Sequence, residues 1–526
     1  MRLTSVYHYD LKRNLMKNVA QTPPNTVKVF YESLTGLPKI ATTADRTANH
    51  VGMSKVERGQ EHTFVLVDKK SGWQLLPYFE NDFSSYKKVY DTKEPIGLSP
   101  DGKTLYFTQT TSHGTRGLYT YNLETLEPGE EIASDSKYDL FPISNYPANV
   151  GGVYFSSKDN RFLGYSSNRI LDTNTWIDPL FAGIQTALDK VLPKQYINSI
   201  LDWSFDETKF VIYSFSDSDF GAYYLFDTDK KSLDLIGKQS PTIKKEHCGK
   251  ELVLHIPLRD GQTMLSYLRL PSGVENPKNL SCVINFPSEI HNRFAWGNSI
   301  GQQAYSTHGI ATLLLNTRGS VGFGRAYFED GFIEGGSKVV EDMEDAIAFL
   351  IKKKILNPDA IAIEGSSLSS LYALKVFANN PQTFQAGLFY NPISDWKDYE
   401  NSTAKRNRRA LRWSYIEEAT NATSSKANHF DLNPLLKKIT KPVHIFSKRG
   451  GISYTSDTST FPSRYAFYSD KYAIELDNKL NALGKDSHIS RFESVLEDYD
   501  ENRMKSTILK YKTIINFLKE QFEAAN

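Results

Sequence analysis

The sequence has little of what marks a secreted, metal-binding or membrane-bound protein. It contains only two cysteines, Cys248 and Cys282, which provide neither a disulfide framework nor a cysteine-rich metal cluster. No apolar run approaches the roughly 20 residues that cross a membrane. The N-terminal stretch "MRLTSVYHYDLKRNLMKNVA" also lacks the apolar segment of a signal peptide. We therefore expect a soluble, cytoplasmic protein without a metal or cofactor.

An excess of either charge is also missing. The chain has 62 basic and 61 acidic residues and a net charge of +1. Long-range attraction to nucleic acid or to an anionic membrane is therefore not expected. With 526 residues, of which 40% are hydrophobic, the chain is long enough for at least two globular domains.

Short strands separated by turns fill residues 1–245. The stretch "PIGLSPDGKTLYFTQTTSHGTRGLYTYNLETLEP" (95–128) reads as strand, turn and strand, and a similar unit recurs at 200–237 with "SFDETK" in place of "SPDGK". A weaker copy, "GVYFSSKDNRFLGYSS", lies between them. Units of about 40 residues predict β-propeller blades, with an irregular β-sandwich as the alternative. Six or seven such blades would exceed the segment, so we expect few or short ones.

One predicted helix, near residues 178–194, interrupts this β-rich region. Asp178 is a good N-cap, and Pro179 suits the first helical position. The apolar residues predicted to line one face are Leu180, Ile184, Leu188 and Val191. We interpret this segment as a helix inserted into the N-terminal domain.

The pattern changes over residues 246–526. The stretch "LVLHIPLRDGQTMLSYLRLP" predicts a hairpin that turns at Asp260 and Gly261. Strands and helices then alternate, including the helix "KVVEDMEDAIAFLIKKK" with Val339, Met343, Ile347 and Leu350 on one face. Such alternation predicts a mostly parallel, doubly wound sheet.

Within this second region, "AIEGSSLSSLYALKVFANNPQTFQAGLFYNP" reads as a strand, a tight turn of small residues and a helix. Ser367 lies at the turn, where an α/β-hydrolase carries its nucleophile. The backbone N–H of the next residue, Leu368, would then contribute to the oxyanion hole.

Several stretches in sequence order resemble the prolyl oligopeptidase family of serine peptidases, especially its acylaminoacyl-peptidase and dipeptidyl-aminopeptidase branch. "NTRGSVGFGRAYFEDG" (316–331) resembles the family's Asn-x-Arg-Gly-Ser-x-Gly-Tyr-Gly signature, and "IEGSSLSSLYAL" resembles its nucleophile elbow. "YSFSDSDFGAYYLFD" resembles the last propeller segment, and "PLRDGQTMLSYLRLP" the entry to the hydrolase domain. The resemblance implies a β-propeller domain over 1–245, an α/β-hydrolase domain over 246–526, and a peptide site between them.

The sequence departs from the family pattern at the site itself. In the elbow, Gly-x-Ser-x-Gly-Gly, the last two glycines are replaced by Ser369 and Ser370. The stretch "VINFPSEIHNRFAW" lacks the family's His-Gly-Gly-Pro and any tyrosine, so the second oxyanion donor has no counterpart there. At the family's catalytic aspartate stands Gly451 (or its neighbour Gly450), with Asp457 as a nearby substitute.

The family's catalytic histidine corresponds to Glu497, and no histidine follows His488 in the sequence. Glu497 belongs to a solvated acidic turn or, alternatively, acts as a carboxylate base; an unperturbed glutamate, with a pKa near 4.3, is a poor proton acceptor at neutral pH. His488, in the predicted strand "SHISRF", is either a hydrogen-bonded strand histidine or a shifted base. Arg318 in the signature is expected to form a structural ion pair with Asp342.

Ser367 is therefore a candidate nucleophile whose acid and base partners are missing from their family positions. We expect a protein that keeps the peptidase architecture, is inactive or strongly impaired in hydrolysis, and binds a peptide or protein in the cleft between its domains. The alternatives are an active aminoacyl or dipeptidyl exopeptidase with a non-standard base, and a structural subunit that pairs with an intact relative.

Overall fold

The fold is described from a computed structural model. It describes residues 5–33, 35–44, 47–49, 53–55, 60–68, 71–82, 86–141, 151–287, 292–332, 336–394, 431–449, 465–493 and 501–525. In these ranges the N-terminal half forms small antiparallel sheets, and the C-terminal half forms one large mixed sheet.

The N-terminal sheets follow one another in chain order, as blades of a propeller do. The first strands are β1 Ser5–Asp10, β2 Leu15–Gln21, β3 Thr26–Tyr31, β4 Pro38–Ala44, β5 Thr47–Asn49, β6 Met53–Lys55, β7 Gln60–Asp68, β8 Gly72–Leu75 and β9 Asn81–Asp82. The next are β10 Glu94–Leu98, β11 Thr104–Thr110, β12 Arg116–Asn122, β13 Glu127–Ala133, β14 Gly151–Phe155, β15 Phe162–Asn168 and β16 Asp172–Trp176. The last are β17 Ile197–Trp203, β18 Lys209–Phe215, β19 Ala222–Asp227 and β20 Ser232–Lys238.

Four of these sheets are blade-like, and we number them in chain order. Blade 1 is β3-β4-β7-β8 with β9 on β7, blade 2 is β10 to β13, blade 3 is β14 to β16, and blade 4 is β17 to β20. The pairs β1-β2 and β5-β6 form separate two-stranded sheets. Blades 2, 3 and 4 contain the three similar stretches recognised in the sequence.

The similarity of the stretches is visible in their turns. In blade 2, Ser99 Oγ donates to Asp101 (2.5 Å), whose carboxylate accepts the N–H of Lys103 at 3.1 Å. In blade 4, Ser204 Oγ donates to Asp206 (2.5 Å), whose carboxylate accepts the N–H of Thr208 at 3.3 Å. The same short-range hydrogen bonds therefore start the second strand of both blades.

Helix α1 (Pro179–Val191) lies between blades 3 and 4 in the sequence. It is capped by Asp178, whose carboxylate accepts the N–H groups of Leu180 and Phe181 at 3.0 and 3.3 Å.

The apolar face that the sequence predicted for α1 is wrong at both ends of the helix. Leu180 is 43% exposed and Val191 is 70% exposed, whereas Phe181 is completely buried. The buried residues are Phe181, Ile184 and Leu188. The helix is rotated because the Phe181 ring packs between Trp176 and Trp203, at ring-centre distances of 5.0 and 4.9 Å.

The C-terminal half contains an eight-stranded sheet in the order β21-β22-β24-β23-β25-β26-β27-β28. Its strands are β21 Glu251–Pro257, β22 Thr263–Arg269, β23 Leu280–Asn285, β24 Ala311–Leu315, β25 Leu356–Ser366, β26 Ala386–Tyr390, β27 Val443–Arg449 and β28 Ser487–Glu493. β21 and β22 form the predicted antiparallel hairpin, and β22 is also antiparallel to β24. The other strands, β23 to β28, are parallel to one another.

Helices cover both faces of this sheet, as expected for a doubly wound domain. The helices are α2 Ile300–Ser306, α3 Arg325–Asp330, α4 Ser337–Lys352, α5 Ser369–Asn379, α6 Asn433–Lys438, α7 Tyr465–Ala482 and α8 Glu501–Glu523. One core packs α4, α5, α6 and α7 against the sheet, and the other packs α2 and α8 against the opposite face. The predicted apolar face of α4 is confirmed, since Val339, Met343, Ile347 and Leu350 are all buried.

Candidate active site

The turn between β25 and α5 holds Ser367 in the backbone conformation of a nucleophile elbow. Its φ is +54°, a left-handed value that non-glycine residues rarely adopt. The N–H of Ser367 donates to the carbonyl of Tyr390 on the neighbouring strand at 3.0 Å. The turn places a half-buried hydroxyl group at the carboxyl end of the parallel strands, where this fold carries its nucleophile.

Tight packing explains why one glycine of the elbow is retained. A Cβ atom at Gly365 would lie 2.8 Å from the Cβ of Ala373 and 2.9 Å from the Cα of Ser370. Helix α5 therefore approaches β25 too closely at this point for a larger residue.

The two serines that replace family glycines are buried and form hydrogen bonds within the elbow. Ser369 Oγ lies 2.9 Å from both the N–H and the carbonyl of Ser366. Ser370 Oγ donates to the carbonyl of Ser367 (2.5 Å) and accepts the N–H of Ile393 at 3.2 Å. The elbow thus forms without those glycines because both hydroxyl groups have backbone partners.

The predicted first donor of an oxyanion hole, the backbone N–H of Leu368, lies at the N-terminus of α5. Leu368 is buried and comes immediately before the first residue of α5, with φ −62° and ψ −38°. Its N–H has no acceptor among the residues described in the structure, so it is available to an anion at the helix N-terminus. The loop after β23, where the family carries the second donor, includes residues 288–291, which lie outside the described ranges.

The Ser367 hydroxyl has no hydrogen-bond partner within the described part of the chain. Gly451, Asp457 and Glu497 lie in the segments 450–464 and 494–500, outside the described residues.

The remaining candidate base, His488, is described and lies far from Ser367. His488 pairs with His444 across β27 and β28, His444 pairs with Leu388, and Leu388 pairs with Glu364. His488 is therefore three strands from β25, roughly 14 Å at the usual strand spacing, and level with a residue that precedes the serine. Its side chain is 56% exposed, and its Nε2 lies 2.9 Å from Asp486. The structure does not bring it to the elbow.

His444 is a core residue, as its position within a strand predicts. Its ring stacks on Phe446 at 4.3 Å between ring centres, and its Nε2 lies 2.9 Å from Ser490 Oγ. Burial lowers the pKa of His444 to about 4, so the ring is neutral at physiological pH. It belongs to the packing between β27 and α8.

Arg318 of the signature stretch forms the ion pair expected from the sequence. Its side chain and that of Asp342 are both fully buried, with Nε 2.9 Å from Oδ1. The backbone N–H of Arg318 also donates to Asp342 at 2.8 Å, and Asp260 accepts from the other side of the guanidinium. The pair joins the loop after β24 to helix α4.

A partly buried carboxyl group beneath the elbow, that of Glu364, was not recognised in the sequence. Glu364 accepts a hydrogen bond from the hydroxyl of Tyr305 at 2.9 Å, and burial raises the pKa of its carboxyl group while the charge of Lys510 opposes that rise. Lys510 Nζ lies 4.2 Å from the centre of the Tyr390 ring. The sequence offered one signal for this group, since Glu364 is the single ionisable residue of the apolar strand "AIAIEG".

Two further findings concern the described residues. No three histidine, cysteine, aspartate or glutamate side chains in these ranges are grouped so that they could hold a metal ion. Among the described helices, none has both the length and the apolar character that a membrane span requires.

The fold is an α/β-hydrolase domain that follows an N-terminal β-propeller, and the turn at Ser367 has the backbone conformation of a nucleophile elbow. The model of the prolyl oligopeptidase family matches residues 296–441, the segment that contains the signature and the elbow. This match confirms the resemblance seen in the sequence over that segment of the hydrolase domain.

Curated peptidases match parts of the chain. The chain is 26% identical over 305 residues to dipeptidyl aminopeptidase BIII of Pseudoxanthomonas mexicana, covering 56% of this chain and 42% of the relative. It is 31% identical over 178 residues to acylamino-acid-releasing enzyme 1 of Oryza sativa subsp. japonica, covering 33% of this chain and 21% of the relative. The chain thus spans less than half the length of these curated relatives.

Solved structures confirm the predicted fold class. A puromycin-hydrolyzing peptidase of Mycobacterium tuberculosis superposes with a TM-score of 0.66 at 14% identity, covering 96% of this chain and 72% of that chain. Dipeptidyl peptidase 4 of Porphyromonas gingivalis gives a TM-score of 0.60 at 10% identity, covering 98% and 67%. At this identity the likeness concerns the fold, a β-propeller followed by an α/β-hydrolase domain.

Proposed function

We propose that this protein keeps the serine-peptidase framework, binds peptides between its two domains, and hydrolyses them very slowly or not at all. One observation carries the proposal: Ser367 occupies a well-formed elbow, but its hydroxyl group has no proton acceptor among the described residues. A serine hydroxyl without a base remains protonated and is a poor nucleophile.

The sequence supports the same proposal where the structure describes no residues. Gly451 and Glu497 stand at the positions of the family's aspartate and histidine. Glycine cannot orient an imidazole, and an ordinary carboxylate accepts a serine proton poorly at neutral pH. Loss of a triad member leaves only the catalysis due to binding and the oxyanion hole.

Fluorophosphonate labelling at neutral pH tests the proposal. We expect labelling of the wild-type protein to be at least about 1,000-fold slower than that of a peptidase with a complete triad, because the hydroxyl is not activated. Ser367→Ala defines the background, and Ser366→Ala is the matched control in the same turn. Rapid, stoichiometric labelling that Ser367→Ala abolishes and Ser366→Ala preserves would refute the proposal.

Peptide binding is tested separately by fluorescence anisotropy. Two dansyl-labelled octapeptides, one with a free and one with an acetylated amino terminus, represent the ligand classes named for the relatives. We expect saturable binding of at least one of them without cleavage. No binding of either peptide would favour the structural-subunit alternative, which co-purification with an intact relative would test.

An active exopeptidase is the second candidate, and the intact elbow favours it. Ser367 keeps the strained φ of +54°, and the Leu368 N–H is free of other acceptors in the described region. Aminoacyl and dipeptidyl p-nitroanilides, assayed from about pH 4 to about pH 9, distinguish the two candidates. Turnover that disappears in both Ser367→Ala and Glu497→Gln would establish a carboxylate base. If none of these substrates is hydrolysed, the active exopeptidase is excluded.

A further inference from the structure

The surface between the propeller and the hydrolase domain contains a fully buried aspartate whose hydrogen-bond partners come from both domains. Asp139, which follows blade 2, is 0% exposed. Its Oδ2 accepts the N–H groups of Gly322 and Gly324 at 3.0 and 3.3 Å, both in the signature loop of the other domain. A carboxylate of one domain thus occupies an anion-binding turn of the other.

The glycines of this turn explain why it can bind a carboxylate. Gly322 has a φ of +94° and Gly324 a φ of +83°, values that direct both N–H groups toward the same oxygen. The remaining bonds to Asp139 come from the propeller, since Oδ2 also accepts from the hydroxyl of Tyr90 at 2.7 Å and Oδ1 accepts the N–H of Arg116 at 2.9 Å. The aspartate therefore needs both of its oxygens as acceptors.

Gly322 connects this aspartate to a second buried charge. Its carbonyl accepts the N–H of Asp139 at 3.0 Å and Nη1 of Arg293 at 3.3 Å. Arg293 also donates to the carbonyl of Arg169 in the propeller, and its guanidinium lies 4.4 Å from the centre of the Phe323 ring. Arg293 bridges the signature loop and the propeller.

Arg293 is the first residue of the segment 293–297, which follows the loop after β23. The family carries its second oxyanion donor in that loop. The rest of this segment is also held from both sides. Phe294 exchanges backbone hydrogen bonds with the Asn316 side chain at 2.7 and 3.1 Å. The N–H of Gly297 donates to Glu251 at 3.1 Å, and the N–H of Glu251 donates to Asp217 of blade 4 at 2.7 Å.

We propose that Asp139 is a positioning residue for the peptide site: through Gly322 and Arg293 it holds the segment 293–297, so that the propeller completes a wall of the hydrolase domain's cleft. The proposal rests on the proposed function only where it concerns peptide affinity. Asp139 touches no ligand and acts through the loop that it holds.

The test compares Asp139→Asn with Asp227→Asn in the full-length chain. An asparagine has one acceptor oxygen, so it can serve either the Arg116 side or the Gly322 side of Asp139 but not both. Asp227 is the matched control because it is buried and its Oδ1 alone accepts two N–H groups, those of Asp229 and Lys230, within blade 4. The same substitution there leaves the surface between the domains intact.

Hydrogen–deuterium exchange of the amides of 293–297 is the first measurement. We expect exchange at least about tenfold faster in Asp139→Asn than in wild type, with the blade 4 amides unchanged, and no acceleration of 293–297 in Asp227→Asn. Arg293→Met, which removes the donors to Gly322 and Arg169, provides an independent variant with the same expected result. Unchanged exchange of 293–297 in Asp139→Asn would overturn the proposal.

Affinity for the two dansyl octapeptides is the second measurement. We expect the Kd of the bound peptide to rise about tenfold in Asp139→Asn and to remain within about twofold in Asp227→Asn. Accelerated exchange with an unchanged Kd would refute the link to the peptide site. If the wild-type protein binds neither peptide, the proposed function fails, and the exchange result alone decides whether Asp139 positions the segment.

Discussion

Single hydroxyl groups determine how the elbow differs from that of the family. Ser370 replaces a glycine, and its Oγ bridges the Ser367 carbonyl and the Ile393 N–H across the turn. A glycine in this place offers conformational freedom, whereas the serine offers hydrogen bonds. The elbow is therefore held by its side chains, and each of them can be tested individually.

Ser370→Ala is expected to lower the free energy of unfolding by about 1–3 kcal/mol, because it leaves the buried N–H of Ile393 without its acceptor. Urea unfolding measures the change. Ser366→Ala in the same turn is the control and should cost less than about 0.5 kcal/mol. Equal effects of the two substitutions would show that the hydroxyl of Ser370 is not what supports the elbow.

A single histidine should make stability depend on pH. Burial lowers the pKa of His444 to about 4, below the usual value near 6.5 in an unfolded chain. The unfolded state therefore binds the proton first, and stability is lost as the pH falls from about 6.5 toward about 4. At about pH 5 this loss amounts to about 2 kcal/mol.

His444→Phe is expected to flatten that dependence because the phenyl ring cannot be protonated. Urea unfolding at several pH values gives the slope. His308→Gln is the control, since His308 is exposed at the end of α2 and should leave the slope unchanged. If the free energy of unfolding of His444→Phe depends on pH as steeply as that of wild type, His444 is not the cause of the pH dependence.

At the scale of helices and strands, the local pattern predicted where most elements lie. The turns of blades 2 and 4 form through hydrogen bonds between residues two or three positions apart, so their sequences alone indicate them. The orientation of α1 was predicted less well. Periodicity cannot distinguish neighbouring apolar faces, and contact of Phe181 with two tryptophans selected the actual one.

The link between α4 and the loop after β24 depends on a buried charge. Asp342→Asn is expected to destabilise the protein by about 3–5 kcal/mol, because it removes the only fully buried carboxylate paired with the buried guanidinium of Arg318 and leaves the partly exposed Asp260 and Asp330 as its remaining counter-charges. Asp345→Asn on the same helix is the control: its partner Arg259 is 46% exposed, so the cost should be below about 1 kcal/mol. Chemical denaturation measures both variants, and similar losses would contradict the distinction between them.

At the scale of the whole molecule, residues of the propeller contribute to the core of the hydrolase domain. Val89 and Tyr90 are completely buried within the same hydrophobic cluster as β23, β25 and α5. Arg269 is also fully buried and donates from the hydrolase sheet to the carbonyl of Asp217 in blade 4. Such contacts couple the stabilities of the two domains.

We therefore expect both domains to unfold in a single calorimetric transition. Tyr90→Ala should lower the midpoint and separate two transitions, because it removes a buried ring and the hydroxyl that donates to Asp139. Tyr78→Ala is the control, since the Tyr78 ring stacks within the propeller at 5.3 Å from Tyr121. Two transitions in the wild-type protein would contradict this coupling.

Local sequence patterns were sufficient to predict the class of fold, the order of strands and helices, and the position of Ser367 and Leu368 at a turn between a strand and a helix. Each of these follows from short-range patterns, such as alternating apolar residues or a strand, a turn and a helix in succession. The replacement of acid and base by Gly451 and Glu497 stays a prediction from the sequence, because both residues lie outside the described ranges.

Contacts between distant parts of the chain determine where His488 lies, which face of α1 is buried, and what Asp139 and Glu364 contact. These outcomes depend on groups that are far apart in the chain: Asp139 and Gly322 are separated by 183 residues. No local pattern encodes such a contact, because the packing of one domain on the other brings the two residues together.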